Sequence, residues 1–276
     1  IGQFAGANAL NLNRTQMMGV RAGASSKGNI NSAFIGAQAG QLTTLNSGVV
    51  SVGELSSYNT IEAVNTVTVG YKAGYQSKGT NQTTMIGDLA GLSASNVSGC
   101  FLAGYKAGFN LQNSSGVIAI GEQAGTSING VTNAICIGKQ TRASTNVVAI
   151  GRYAGSWGHT NGDKQPYGVF IGRNAGIWRY GGPTAFNYAT PGNVFIGHYA
   201  GAAGNGAHCI SILANASSAD GYATWGADLI NGGVSSSSHN NVARQNYRFN
   251  IANVIAGDHT STVRRTSMGV VTANPE

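Results

Sequence analysis

The stretch VTVGYKAGYQSKGTNQTTMIGDLAGLSASNVSGCFLAGYKAG, Val67 to Gly108, states one phrase three times: VGYKAG, IGDLAG and AGYKAG. Each is an apolar residue, a glycine, two variable residues and then Ala-Gly. Counting outward from the first glycine, the same position is held by Gly2, Gly19, Gly36, Gly53, Gly70, Gly87, Gly104, Gly121 and Gly138, eight consecutive intervals of 17 residues. An alanine stands three places further on at Ala5, Ala22, Ala39, Ala73, Ala90, Ala107 and Ala124, with Ser56 and Thr141 as exceptions. A fixed period of this length is the mark of a repeat architecture, in which each unit buries its apolar surface against its neighbours. After Gly138 the phrase continues at Gly151, Gly172 and Gly197 and decays at Leu213, with spacings of 13, 21, 25 and 16. The chain thus divides into a regular shaft (1–155), a repeat region carrying insertions (156–217) and a cap or tip region (218–276).

The columns of the repeat give the local structure. The residue before each marker glycine is Ile1, Met18, Ile35, Val52, Val69, Ile86, Ala103, Ile120, Ile137, Ile150, Ile171 or Ile196. Two places earlier stand Val50, Val67, Phe101, Ile118, Ile135, Val148, Val169 and Val194. Apolar residues two apart, mostly β-branched, predict a short strand that buries this face. The marker glycine suits a bend or a close backbone approach, and the Ala-Gly pair a second corner. The pair between them, such as Tyr71-Lys72 or Asp88-Leu89, is expected to face out. The expected fold is all-β: a β-solenoid, or β-roll, of 17-residue rungs. Each rung supplies few apolar side chains against the ordering of many glycines, so a lone chain should be weak. The expectation is therefore an intertwined homotrimeric fibre, with the small Ala column as the place where chains approach.

Composition narrows the function. Charged residues make up 9% of 276, the net charge is +7 with no Lys/Arg block, and glycine accounts for 42 positions. No basic patch points to nucleic acid. No run of 18 apolar residues exists, so no helical membrane insertion is expected. Ile1 and Gly2 already occupy repeat positions, so the chain is expected to be a piece of something longer. Cys100, Cys136 and Cys209 have no metal spacing and fit strand columns, and Cys209 next to His208 is not a dyad, because neighbours on a strand point to opposite faces. His159, His198, His208, His239 and His259 show no ligand spacing, so neither metal nor cofactor is expected. Glycoside hydrolysis requires two facing carboxylates; the chain has nine acidic residues, and no local spacing indicates a pair.

Two insertions break the rule: SWGHTNGDKQPYG (Ser156–Gly168) and IWRYGGPTAFNYATPGN (Ile177–Asn193). They concentrate Trp157, Tyr167, Trp178, Tyr180, Phe186 and Tyr188, with His159 and Arg179 among them. Insertions in a solenoid emerge as side loops, and loops on a rigid scaffold commonly carry binding. Trp and Tyr offer flat faces with a polar edge, suited to sugar rings or to anchoring a protein partner. These eight residues form the candidate ligand site. The alternative is that the loops pack over the rod or on a neighbouring chain. The polar segment 217–245, with Tyr222 and Trp225, reads as a cap that covers strand edges.

The repeats FIGAQAG (Phe34–Gly40), TVGYKAGYQSKGTN (Thr68–Asn81) and AIGEQAGT (Ala119–Thr126) resemble the IGYxAG-type repeats of phage tail fibres and related trimeric bacterial adhesins. They are similar, more loosely, to the AIG rungs of trimeric autotransporter heads. YRFNIANVIAGD (Tyr247–Asp258) followed by SMGVVTANPE (Ser267–Glu276) resembles the stretch that precedes an S74-type intramolecular chaperone in such fibres, although SMGVV departs from the usual GIG form. The resemblance implies a homotrimeric receptor-binding fibre whose chaperone has been cut away, with no catalytic residue to carry over. The implied setting is a virion tail outside the cell, attaching to a cell-surface glycan or an outer-membrane receptor. The alternatives are a bacterial surface adhesin, a tailspike-like polysaccharide depolymerase and a purely structural shaft.

Overall fold

A computed structural model describes residues 1–155, 168–176, 193–198 and 200, together with the strand backbones at 210–212, 230–231, 248–249, 263–265 and 271–273. Among the described residues there is no helix. Strands β1 (Gln16–Met18), β2 (Ala33–Ile35), β3 (Val50–Val52) and β4 (Val67–Val69) open the repeat. Then β5 (Lys78–Asn81), β7 (Ser95–Ser98) and β9 (Gln112–Ser115) alternate with β6 (Thr84–Ile86), β8 (Phe101–Ala103) and β10 (Ile118–Ile120). Strands β11 (Ile135–Ile137), β12 (Val147–Ile150), β13 (Gly168–Ile171), β14 (Asn193–Ile196) and β15 (Ile210–Ile212) continue the repeat. Four further strands form two antiparallel pairs, Ile230–Asn231 with Arg248–Phe249 and Val263–Arg265 with Val271–Ala273.

The repeat is a parallel β-solenoid. Twelve strands make one parallel sheet in the order β1-β2-β3-β4-β6-β8-β10-β11-β12-β13-β14-β15, and β5-β7-β9 make a second. The register advances by one repeat each time: Val67 faces Thr84, Thr84 faces Phe101, and Phe101 faces Ile118. The uneven spacings leave this register intact, since Ile135 pairs with Val148, Val148 with Val169 and Val169 with Val194. At about 4.8 Å per strand, twelve strands span roughly 50 Å.

The corners come from left-handed backbone. The second outward residue of each rung has positive φ: 52° at Lys72, 58° at Leu89, 55° at Lys106 and 57° at Gln123. Single residues visit this region at a cost of about 1–2 kcal/mol, least for Gly and Asn. Asn96, Asn113 and Asn133 hold other positive-φ places, whereas the corner in these four rungs is filled by Lys, Leu and Gln. The marker glycine is needed for a second reason. Gly104 has φ 127°, and a Cβ there would stand 2.7 Å from the carbonyl oxygen of Gly121 on the next rung.

Five side chains point inward in most of the 17-residue rungs. In one rung these are Leu102, Ala107, Leu111, Ser114 and Val117, all buried. The sequence expectation for the strand face is corrected here. In β10 the middle residue Ala119 is fully buried, while Ile118 and Ile120 are each 36% exposed. The inward column is the middle one: Phe34, Ser51, Thr68, Met85, Leu102, Ala119 and Cys136. Five side chains converging within a narrow coil leave each strand one inward place, and the pleat turns both of its neighbours outward. The Ala column is also corrected. Ala22, Ala39, Ala73, Ala90, Ala107 and Ala124 are fully buried inside the coil, so chains do not approach there.

The interior changes character along the rod. Phe34, Ala39, Val49 and Ala63, with Met17 against them, form one apolar cluster. A longer one runs from Met85 to Ala200. Around residues 51–83 the inward residues include Ser51, Ser56, Thr60, Thr66, Thr68, Ser77, Thr80 and Thr83, all buried. Outside, side-chain amides form ladders between rungs, Asn96 donating to Asn113 and Asn113 to Asn129, each at 3.1 Å.

Candidate functional site

The candidate ligand residues Trp157, His159, Tyr167, Trp178, Arg179, Tyr180, Phe186 and Tyr188 lie outside the described residues, as does the segment 217–229. The residues that flank the two insertions are described. The described residues run to Gly155 and to Gly176, both glycines of the Ala-Gly corner, and resume at β13 and β14. The Gly155 amide donates to the Ala175 carbonyl at 2.9 Å, and the Gly176 amide to the Ala200 carbonyl at 2.8 Å. Gly155 and Gly176 therefore stand at equivalent places on adjacent rungs, and β13 and β14 pair Gly168 with Asn193.

The surface that sequence reasoning missed is the outer face of the main sheet. Ile35, Val50, Ile86, Phe101, Ile118 and Ile120 are 36–41% exposed. Val52, Val67, Val69, Ile135, Ile137, Val148, Ile150, Val169, Ile171, Val194 and Ile196 are half-buried at equivalent places. Their in-register stacking makes a strip two residues wide that runs from β2 to β14, interrupted by Thr84 and narrowed at Ala33 and Ala103. Contiguous apolar patches beyond about 300–600 Å² are unusual on a single soluble chain and mark interaction surfaces. The signal was present as two β-branched columns; what the sequence lacked was the side of the strand on which they lie.

Among the described residues, titratable groups add little nucleophilic chemistry. Burial pushes the Cys136 thiol up to about 12, and burial likewise raises that of Cys100, so both remain protonated and unreactive at neutral pH. Glu54 and Asp88 stand exposed in the outward pair. Glu122 pairs with Lys139 at 2.8 Å, a surface contact of small energetic worth. Among the described residues, no group of three or more His, Cys, Asp or Glu could hold a metal ion. No helix among them is long and apolar enough to cross a membrane. The chain matches no protein-family model, no curated protein and no solved structure, so the geometry of the rod stands by itself.

Proposed function

We propose that this chain is the distal shaft of a non-enzymatic homotrimeric fibre that attaches to a cell-surface glycan or another surface receptor. The single observation that carries the reading is the apolar strip on the outer face of the main sheet. It repeats once per rung, so a partner can cover it along its whole length only by repeating at the same interval. A further copy of this chain has that interval. Closed cyclic symmetry seals such a strip, whereas an open arrangement would continue to grow. Three copies around one axis turn every strip inward, and the repeats' resemblance to trimeric tail fibres and adhesins favours that number. A phage tail is the preferred setting and a bacterial surface the second.

Attachment belongs to the insertions in this reading. The residues that precede them, Gly155 and Gly176, stand on adjacent rungs, which supports two aromatic-rich segments acting side by side, and three copies would present three such pairs. Weak sites on one rod then gain strength by acting together.

Sedimentation of the purified chain tests the assembly. The wild type is expected as a trimer, and Ile86→Lys with Ile120→Lys is expected to dissociate it. A wild-type monomer that melts cooperatively would overturn the reading. Attachment to cells should disappear in Trp157→Ala with Trp178→Ala while the trimer persists; unchanged attachment would remove those residues from the site.

A further inference from the structure

Around the marker-glycine bend from the apolar strip, the outward corner carries aromatic rings and lysines in a repeating arrangement. The sequences YKAGY (Tyr71–Tyr75) and YKAGF (Tyr105–Phe109) occupy the same corner two rungs apart. In the first, Lys72 Nζ lies 5.0 Å from the Tyr71 ring centroid and 5.6 Å from that of Tyr75. In the second, Lys106 Nζ lies 5.1 Å from Tyr105 and 6.0 Å from Phe109. Tyr58, one rung before, stacks on Tyr75 with centroids 5.1 Å apart and planes 7° from parallel. Tyr71 and Tyr105 each remain 43% exposed, a large solvent-facing area for rings held in place by their own lysines. None of these residues lies in the insertions or in the apolar strip.

The charges along this corner alternate. Glu54, Asp88 and Glu122 fill the first outward position on every second rung, and Lys72, Lys106 and Lys139 stand on the rungs between. A polyanion would therefore meet repulsion as often as attraction. A neutral polymer would meet a row of acceptors and donors beside aromatic faces. Two rungs separate Tyr71 from Tyr105, about 9.6 Å along the rod, which is close to the length of one disaccharide in an extended β-linked hexopyranose chain.

We infer that the ridge formed by Tyr71, Lys72, Tyr75, Tyr105, Lys106 and Phe109 is a binding site for a neutral β-linked polysaccharide lying along the rod. Sugar rings stack on Tyr71 and Tyr105. The lysines donate to hydroxyls, and Asp88 accepts from a hydroxyl between them. This site goes beyond the proposed attachment role, since it needs neither the assembly nor the insertions.

Calorimetric titration with cellohexaose, N-acetylchitohexaose and the matching disaccharides tests it. The wild type is expected to bind at least one hexasaccharide, and at least tenfold more tightly than its disaccharide, because only the longer ligand spans both tyrosines. Tyr71→Ala with Tyr105→Ala should weaken that binding at least tenfold. Tyr71→Phe with Tyr105→Phe should retain most of it and serves as the folding control. Trp157→Ala with Trp178→Ala should leave it unchanged. No binding of either hexasaccharide by the wild type would overturn the inference. Equal binding by the Tyr→Ala variant would do the same. Loss only in the Trp variant would place the saccharide in the insertions, sinking the ridge but not the attachment role. A changed sedimentation coefficient in the Tyr→Ala variant without altered titration would make the ridge a contact between copies, and the inference would again fall.

Discussion

At the residue scale the rod depends on a column of glycines whose missing side chain is filled by the next rung. Gly104 is the clearest case, with φ 127° and the Gly121 carbonyl oxygen 2.7 Å from where a Cβ would stand. Backbone cannot yield as a flexible side chain can, so the clash must be relieved by opening the stack. Gly99 provides a control within the same coil: its φ is 62°, and the nearest atom to an added Cβ is 3.9 Å away. Gly99→Ala carries only the left-handed backbone penalty and should cost about 1 kcal/mol. Gly104→Ala should cost about 3 kcal/mol or more, the range of severe single substitutions. Thermal unfolding of both variants, with circular dichroism as the readout, checks this. Equal losses would mean that the marker glycine serves backbone conformation alone and not close stacking.

At the scale of the strand, the polar stretch of the interior separates satisfied groups from unsatisfied ones. In β4 the Thr68 hydroxyl meets Ser56 Oγ at 2.9 Å and Ser57 Oγ at 2.7 Å. In β3 Ser51, directly opposite Thr68, has a buried hydroxyl with no hydrogen-bond partner among the described residues. Removing one member of a buried pair leaves the other desolvated and unpaired, whereas removing an already unpaired hydroxyl relieves a cost. Thr68→Val should therefore destabilise by about 1–3 kcal/mol, and Ser51→Ala should stabilise by about 1 kcal/mol. A fall in melting temperature for both would show that packing, not hydrogen bonding, governs this part of the coil. The same column shows the limit of the sequence. The 17-residue period, the strands and the outward pair Tyr71-Lys72 were all legible, because the marker glycine and the Ala-Gly corner recur at fixed offsets. The buried side of the strand was not. Alternation fixes which residues share a face but not which face is inside. The β-branched columns attract attention, while the true inward column mixes Phe34, Ser51, Met85, Ala119 and Cys136 and shows no common chemistry. The aromatic ridge was hidden for another reason: Tyr58 and Tyr75 are 17 residues apart and meet only once the rungs stack. The candidate residues of the insertions were read from composition alone, and they lie outside the described residues.

At the scale of the whole molecule, the rod is close to one-dimensional. Each regular rung hydrogen-bonds to the residues about 17 before and 17 after it: the Gly87 amide reaches the Val69 carbonyl and the Gly104 amide reaches the Ile86 carbonyl. Stability in such an array is a sum of rung terms and neighbour terms, so whole rungs are interchangeable units and fractions of rungs are not. Deleting Tyr71–Gly87 joins Gly70 to Asp88, restores a 17-residue interval to Gly104 and lets β4 pair with β8 in the register that β4 now shares with β6. It removes Met85 from the inward column but brings Leu102 against the polar stretch, so the core loses one layer and gains no void. This variant is expected to fold cooperatively, with a melting temperature lower by a few degrees and a urea dependence reduced in proportion to the surface removed. Deleting only Tyr71–Lys78 leaves too little chain to close a turn: even the shortest interval in the rod, from Gly138 to Gly151, keeps 13 residues. That variant should lose its cooperative transition, or melt far lower, because every inward residue after the cut would have to change position or the coil would have to break. If the two deletions melted alike, the stack would not be tied to its period, and an apolar strip aligned from rung to rung would have no structural basis.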